Sequence, residues 1–151
     1  MFVAREFTFD AAHFLTDYYG KCERMHGHTY KLAVTLEGKV QSNGLLIDFV
    51  VLKRIVKKRV LEKLDHHLLN DVVKNPSAER VVMWIWDQLK DLQKLLKAEM
   101  DDPNLGKEIR ALLKKSDQKS ALSSMKFDKA LKLVDLQLWE TPHSYVTYSG
   151  K

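Results

Sequence analysis

Residues 22–28, CERMHGH, bring the only cysteine of the chain together with a glutamate and two of its six histidines. In a β-strand, residues two apart point to the same side, so His26 and His28 would project together across Gly27, which has no side chain to obstruct a bound ion. Such a pair can chelate zinc, and a third imidazole would complete a three-histidine site with the open fourth position typical of catalytic zinc. If the first two predicted strands pair as a hairpin, His13 is the natural third ligand. The alternative is that H-x-H arises by chance and these are surface or capping histidines.

Cys22 lies four residues before His26, close enough for its thiol to sit beside a bound metal. It could be a fourth ligand that closes a structural zinc site. It could also be a base or nucleophile activated by nearby positive charge, or an inert buried thiol. Its polar neighbours, in GKCER, count against the buried thiol.

Asp65 and His66, in LDHHLLND, form a second candidate group. A carboxylate beside a histidine can orient the imidazole and stabilise its protonated form, which makes it a proton donor or acceptor near neutral pH. Adjacent helical residues diverge by about 100°, so the two side chains can pair only if the preceding helix has ended. The alternative is a helix C-terminus that favours histidine for its charge.

Glu140, in LWETPHS, stands at the end of an apolar strand face. A carboxylate in this place is either solvated at the strand end or bound to a donor-rich ligand, such as the edge of a guanidine-like ring.

Alternating hydrophobicity predicts four strands, at 2–9, 28–38, 132–140 and 144–149, with TPH joining the last two. Asp48 is predicted to cap a helix that ends near LDHHLLND, and Asn75 or Ser77 to cap a second one. The apolar stripe of that second helix runs through Val81, Ile85, Leu89, Leu92 and Leu96 until DDPNLG breaks it. The order ββααββ predicts an α+β fold, with a four-stranded antiparallel sheet backed by two helices.

The length of 151 residues, with 45% hydrophobic and 30% charged residues, fits a single globular domain, here residues 1–151. The net charge of +5 suits an anionic ligand, although the basic residues are interleaved with acidic ones. One cysteine cannot form an internal disulfide, the N-terminus lacks the apolar core of a signal peptide, and no apolar run approaches the roughly 18 residues of a membrane span. These features predict a soluble cytoplasmic protein.

Five motifs appear in order: FDAAH, CERMHGH, LDHHLLND, NPSAE and WETP. Together they resemble the 6-pyruvoyl-tetrahydropterin and 6-carboxy-tetrahydropterin synthase family. The resemblance covers nearly the whole chain except about 93–130, which is predicted to be an insertion, with KEIRALLKKSD as a short helix and SALSSMKFD as a loop. It implies a tunnelling fold (T-fold), in which three subunits close their sheets into a barrel and two trimers stack into a hexamer. Active sites then form between subunits.

The resemblance also implies the substrate and the site residues. The substrate class is 7,8-dihydroneopterin triphosphate, with neither nucleic acid nor membrane as a partner. Carried over by position, the zinc (Zn2+) ligands are His13, His26 and His28. The catalytic thiol is Cys22, the proton-transfer pair is Asp65 with His66, Glu140 anchors the pterin ring edge, and Glu79 lies in a segment that lines the pterin pocket.

The spacing between Cys22 and HGH bears on the product. Three intervening residues resemble the 6-carboxy-tetrahydropterin branch, which feeds 7-deazaguanine nucleosides such as queuosine, whereas the pyruvoyl branch has a longer spacer. Glu23, two residues from HGH, resembles a third branch in which a glutamate replaces the thiol and the product is 6-hydroxymethyl-7,8-dihydropterin. The 6-carboxy product is predicted first, with the hydroxymethyl product as a second activity. The residues are also compatible with the pyruvoyl product, with a zinc hydrolase that uses Glu23 as its base, and with a basic nucleic-acid-binding zinc domain.

Overall fold

A single five-stranded sheet organises the protein, for which a computed structural model describes residues 1–16, 19–105, 107 and 127–151. The strand order is β3-β1-β2-β4-β5. Long antiparallel ladders join β1 to β2, β2 to β4 and β4 to β5. The strands are β1 (Phe2–His13), β2 (His26–Glu37), β3 (His67–Leu68), β4 (Lys132–Thr141) and β5 (Ser144–Tyr148).

The expected sheet of four antiparallel strands was therefore wrong in one respect. The additional strand β3 pairs parallel with β1, at Ala11 opposite His67 and Ala12 opposite Leu68. A strand of two residues is too short to produce an alternating pattern, so only tertiary pairing reveals it. Strand β1 also extends to His13, which thus lies on the strand itself.

In the described part of the chain, one face of the sheet is covered by helices that include α1 (Phe49–Val56), α2 (Glu62–Leu64), α3 (Ala78–Leu89) and α4 (Leu92–Met100). A π-helical turn, Lys57–Leu61, joins α1 to α2. The predicted cap of α1 is confirmed, because the side chain of Asp48 accepts a hydrogen bond from the Val50 amide. Ser77 rather than Asn75 caps α3, by accepting from the Arg80 amide.

The expectation of two helices was wrong at the C-terminal end of the second one. Its apolar stripe spans two helices, because Asp91 leaves the helical conformation at φ −84° and ψ 46°. In the described parts of the chain, α4 therefore packs as a separate helix. The predicted helix at 107–117 and loop at 120–128 lie almost entirely outside the described residues, so the insertion stays a prediction.

The two faces of the sheet have different environments. On β2, alternate residues are fully buried against the helices, whereas Thr29 points to the other face and is exposed. On β1, Asp10 is likewise exposed, on the side opposite to Phe9. The apolar residues of β2 that line the helix-covered face are Tyr30, Leu32, Val34 and Leu36. Across the described ranges, no helix combines the length and apolar character needed to cross a membrane.

A buried ion-pair network fastens α4 to α1. The Arg54 guanidinium donates through Nε to Glu99 and through an Nη nitrogen to Asp102, the latter at 2.9 Å. Lys58 donates to the same two carboxylates, at 2.9 and 2.6 Å. Hydrogen bonds from Lys58 and from the Asn104 amide lower the pKa of Asp102 to about 2. Asp102 is therefore a charged partner for Arg54 of α1 and for Lys58 of the adjoining π-helical turn.

Replacement of Glu99 by alanine is expected to lower the free energy of unfolding by about 3 kcal/mol, because Arg54 is only 9% exposed and would lose a buried counter-charge. Urea unfolding followed by circular dichroism measures the change. The matched control is Asp87→Ala, which removes one partner of the exposed Asp87–Lys90 pair and should leave the midpoint unchanged. Equal midpoints for Glu99→Ala and the unsubstituted protein would contradict a stabilising role for the network.

Candidate active site

Three histidines meet where β1 ends and β2 begins. His13 lies directly opposite His26 in the antiparallel ladder, and His28 follows on the same face of β2. The Nε2 atoms of His13 and His26 are 3.1 Å apart, and one ring nitrogen from each of the three residues lies within 4.8 Å of the others. The structure thus brings together all three residues that the sequence suggested as ligands.

Backbone carbonyls orient two of the rings. Nδ1 of His13 is 2.8 Å from the carbonyl oxygen of Pro76, and Nδ1 of His26 is 2.8 Å from that of Arg24. A carbonyl oxygen can only accept, so each Nδ1 carries the hydrogen and donates it. The lone pairs of both Nε2 atoms are then directed at one another, as in metal-binding histidines whose other nitrogen is held by a carbonyl.

His28 supplies the test of whether a metal ion fits. Its Nε2 is buried and has no hydrogen-bond partner among the described residues. Burial lowers the pKa of His28, with the Glu140 carboxylate opposing this effect, so the neutral form that binds metals is favoured. The unpartnered Nε2 of His28 lies beside the Nε2 lone pairs of His13 and His26, and a divalent cation bound there would satisfy all three. Imidazole ligands suit zinc.

The side chain of Glu140 lies against the histidine cluster, so it is not simply solvated at the end of its strand. Its Oε1 is 3.4 Å from Nε2 of His13 and 4.0 Å from Nε2 of His28, and its side chain is 28% exposed. It also lines a cleft of about 270 Å³ together with Cys22 and Glu79. The cleft therefore joins a thiol and two carboxylates to the edge of the histidine cluster.

The turn Lys21–Glu23 positions the thiol. The carbonyl of Cys22 accepts a hydrogen bond of 2.9 Å from the Leu15 amide, which ties this 3₁₀ turn to the chain just after β1. Cys22 is partly exposed in the cleft and does not join the group of ligand atoms within 4.8 Å. This placement favours a thiol beside the histidine cluster over a fourth ligand for an ion held there. Glu23 is exposed on the same turn and does not line the cleft.

Asp65 and His66 pair because α2 has ended. Asp65 adopts an extended conformation after Leu64, and its Oδ1 is 2.9 Å from Nδ1 of His66. The backbone of His66 has a positive φ of 60°. Residues other than glycine seldom adopt this conformation, and where they do it often marks a functional site. Both residues contact Asp10, whose side chain projects from the face of β1 opposite to His13.

The candidate residues thus occupy two clefts within one chain. His66 lines a cleft with Asp10, Thr29 and His67, whereas Cys22 and Glu140 line the other. Neither of these two clefts, which are lined by described residues, contains both Cys22 and His66.

Several positioning residues were missed by the sequence reasoning. The side-chain amide of Asn70 donates to the carbonyl of Phe14 at 2.9 Å and accepts from its amide at 3.0 Å, and Asn75 accepts from the Thr16 amide at 2.9 Å. Together with the Pro76 carbonyl, they hold the chain around His13. A signal in the sequence existed only for Asn75, which stands next to a predicted helix start. None existed for Asn70, because the partner of Asn70 lies 56 residues away.

The buried ring of Tyr30 packs against the histidine cluster on its core side. Its ring is stacked on Phe9 at 5.0 Å and meets the rings of His28 and His13 edge-on, at 5.6 and 6.1 Å between centroids. The hydroxyl is buried without a partner among the described residues, and this burial, together with the Glu140 charge, raises the pKa of Tyr30.

The sequence and the fold of this chain are similar to those of known proteins. Residues 2–106 match the family described as 6-pyruvoyl tetrahydropterin synthase. The 6-carboxy-5,6,7,8-tetrahydropterin synthase of Haemophilus influenzae is 33% identical over 97% of this chain and 96% of its own length. The dihydroneopterin monophosphate aldolase of Pyrococcus furiosus is 37% identical over 55% of this chain and 69% of its own. The structure of the Caenorhabditis elegans 6-pyruvoyl tetrahydropterin synthase superposes with a TM-score of 0.67 at 24% identity, covering 100% of this chain and 96% of that one, which shows a common fold.

Proposed function

This chain belongs to the 6-pyruvoyl tetrahydropterin synthase family, and on that premise we propose that it is a zinc-dependent lyase acting on 7,8-dihydroneopterin triphosphate. With the uptake of one water molecule, the proposed products are 6-carboxy-5,6,7,8-tetrahydropterin, acetaldehyde and triphosphate. The observation that carries the proposal is the three-histidine cluster with an orphaned Nε2, adjoining a cleft that contains Cys22 and Glu140.

The proposal gives a chemical role to the three histidines, to Cys22, to the Asp65–His66 pair and to the two carboxylates. Zinc held by the three histidines would act as a Lewis acid on the side-chain hydroxyls of the substrate, which makes the neighbouring protons easier to remove. Cys22 and His66 move these protons on either side of the substrate, and Asp65 holds the imidazole of His66 in position. Glu140 accepts hydrogen bonds from the pterin ring edge, with Glu79 as a second carboxylate in the same cleft.

The separation of the two clefts supports a site shared between subunits. Cys22 and His66 line different clefts of one chain, which supports a site to which a neighbouring copy contributes one of them. Edge strands β3 and β5 leave their outer sides unpaired within the sheet, and pairing with neighbouring copies would satisfy them. We propose a hexamer built from two trimers, located in the cytoplasm.

The choice of product rests on Cys22 and on the relatives. The Haemophilus influenzae relative, which aligns over nearly the whole chain, is named for the 6-carboxy product. The Pyrococcus furiosus relative is named as an aldolase acting on dihydroneopterin monophosphate. This second name favours a side activity here, formation of 6-hydroxymethyl-7,8-dihydropterin with Glu23 as the acid–base group.

Incubation of the zinc-loaded protein with 7,8-dihydroneopterin triphosphate, followed by mass spectrometry of the pterins, tests the proposal. The 6-carboxy product with an equivalent of acetaldehyde is expected. A pyruvoyl product without acetaldehyde would assign the chain to the other branch of the family. Unchanged substrate with zinc fully bound would contradict the pterin reaction and leave the zinc hydrolase as the better hypothesis. Cobalt substitution tests Cys22 separately, because a strong thiolate charge-transfer band would show a closed site of the kind expected in a nucleic-acid-binding domain.

A further inference from the structure

The backbone of Asp10 grips the turn that carries His66. Its amide donates to Oδ1 of Asp65 at 3.0 Å, and its carbonyl accepts from the His66 amide at 2.6 Å. Oδ1 of Asp65 therefore lies between two donors, the Asp10 amide and Nδ1 of His66, the latter at 2.9 Å. These bonds hold His66 at its positive φ of 60°.

The side chain of Asp10 adds a second carboxylate to this pair. Thr29, its direct cross-strand partner, donates a hydrogen bond of 2.5 Å to Oδ1 of Asp10. One carboxylate oxygen of Asp10 lies within 4.8 Å of both a carboxylate oxygen of Asp65 and a ring nitrogen of His66. Two carboxylates this close repel each other, and the positive charge that the His66 imidazole acquires when it takes up a proton attracts both of them.

We propose that Asp10 is a positioning residue of the proton-transfer pair, which acts through His66 and not on the substrate. Thr29 fixes the Asp10 carboxylate, and that carboxylate together with Asp65 stabilises the protonated imidazole. His66 is thereby held where it can exchange a proton with the substrate, and its side chain is 77% exposed in the single chain. The catalytic part of this inference rests on the proposed lyase function.

Steady-state kinetics of Asp10→Asn test the catalytic part. We expect kcat to fall about tenfold, at the low end of the range for general acid–base groups because His66 itself remains, with KM within twofold and zinc content unchanged. Asp10→Glu keeps the charge and should recover most of kcat. Glu6→Gln is the matched control, because Glu6 occupies the same exposed face of β1 and pairs with Lys31 instead, at 3.5 Å. Full activity of Asp10→Asn, or an equal loss in Asp10→Glu, would overturn the proposal.

Chemical modification of His66 provides a readout that needs no turnover. Diethyl pyrocarbonate reacts with unprotonated imidazole, and peptide mass spectrometry follows each histidine separately. At pH 6, Asp10→Asn should raise the modification rate of His66 about two- to fourfold relative to the exposed His143, as expected for loss of a charge within 4.8 Å in water. Glu6→Gln should leave this ratio unchanged. If His66 reacts equally fast in Asp10→Asn and in the unsubstituted protein, the coupling is absent, whether or not the protein turns over pterins.

Discussion

His26→Ala should lose both bound zinc and pterin turnover, with a fall in kcat/KM of about a thousandfold or more. The substitution removes one of three converging nitrogens and leaves the Nε2 of His13 without its neighbour at 3.1 Å. Lewis-acid stabilisation by zinc is worth several kcal/mol, and each 1.4 kcal/mol corresponds to a factor of ten in rate. Metal analysis of the purified variant and product formation in excess substrate measure the two losses together.

His143→Ala is the matched control for this substitution. His143 is exposed on the turn between β4 and β5 and lies outside the group of converging nitrogens. The control should keep its full zinc content and activity. Loss of turnover in His26→Ala with zinc still stoichiometric would contradict a ligand role for His26, and removal of zinc by a chelator should reproduce the loss in the unsubstituted protein.

Cys22→Ala should retain zinc but form the 6-carboxy product about 10²- to 10⁴-fold more slowly, the range for loss of a general acid–base group. Zinc is retained because Cys22 does not join the converging ligand atoms. Formation of the hydroxymethyl product should persist if Glu23 is the acid–base group for that reaction, as proposed above. Chromatographic separation of the two pterins, with metal analysis in parallel, measures both effects.

Glu23→Ala and the double variant complete this experiment. Glu23→Ala should lose the hydroxymethyl product alone, and Cys22→Ala/Glu23→Ala should lose both products with zinc unchanged. Equal rates of 6-carboxy formation in Cys22→Ala and in the unsubstituted protein would refute the role of the thiol. Loss of zinc from Cys22→Ala would make the cysteine a ligand.

Local patterns in the sequence predicted the elements that carry the site. The alternation of Tyr30, Leu32, Val34 and Leu36 predicted a face of β2 that is fully buried. The H-x-H pattern then placed His26 and His28 on that same face, because side chains alternate along a strand whatever surrounds it. The prediction that Asp65 and His66 could pair once the helix ended also followed from geometry alone.

Tertiary packing decided how the side chains of the site are oriented and in which of the two clefts each of them lies. The Pro76 carbonyl that orients His13 is 63 residues away, and the contact of Asp10 with Asp65 spans 55 residues. Sequence periodicity does not predict such contacts, because they depend on how the helices pack on the sheet and not on neighbouring residues in the chain. For the same reason, the short strand β3 and the break before α4 escaped prediction.

The sequence by itself therefore determined which side chains are available and which of them share a face of a strand. Only the tertiary structure decided that Cys22 and Glu140 line one cleft, whereas His66, the partner of Asp65, lines another. The physical reason is the pleat of β1, which turns the side chains of His13 and Asp10 to opposite faces of the sheet, while β3 docks the His66 turn beside Asp10.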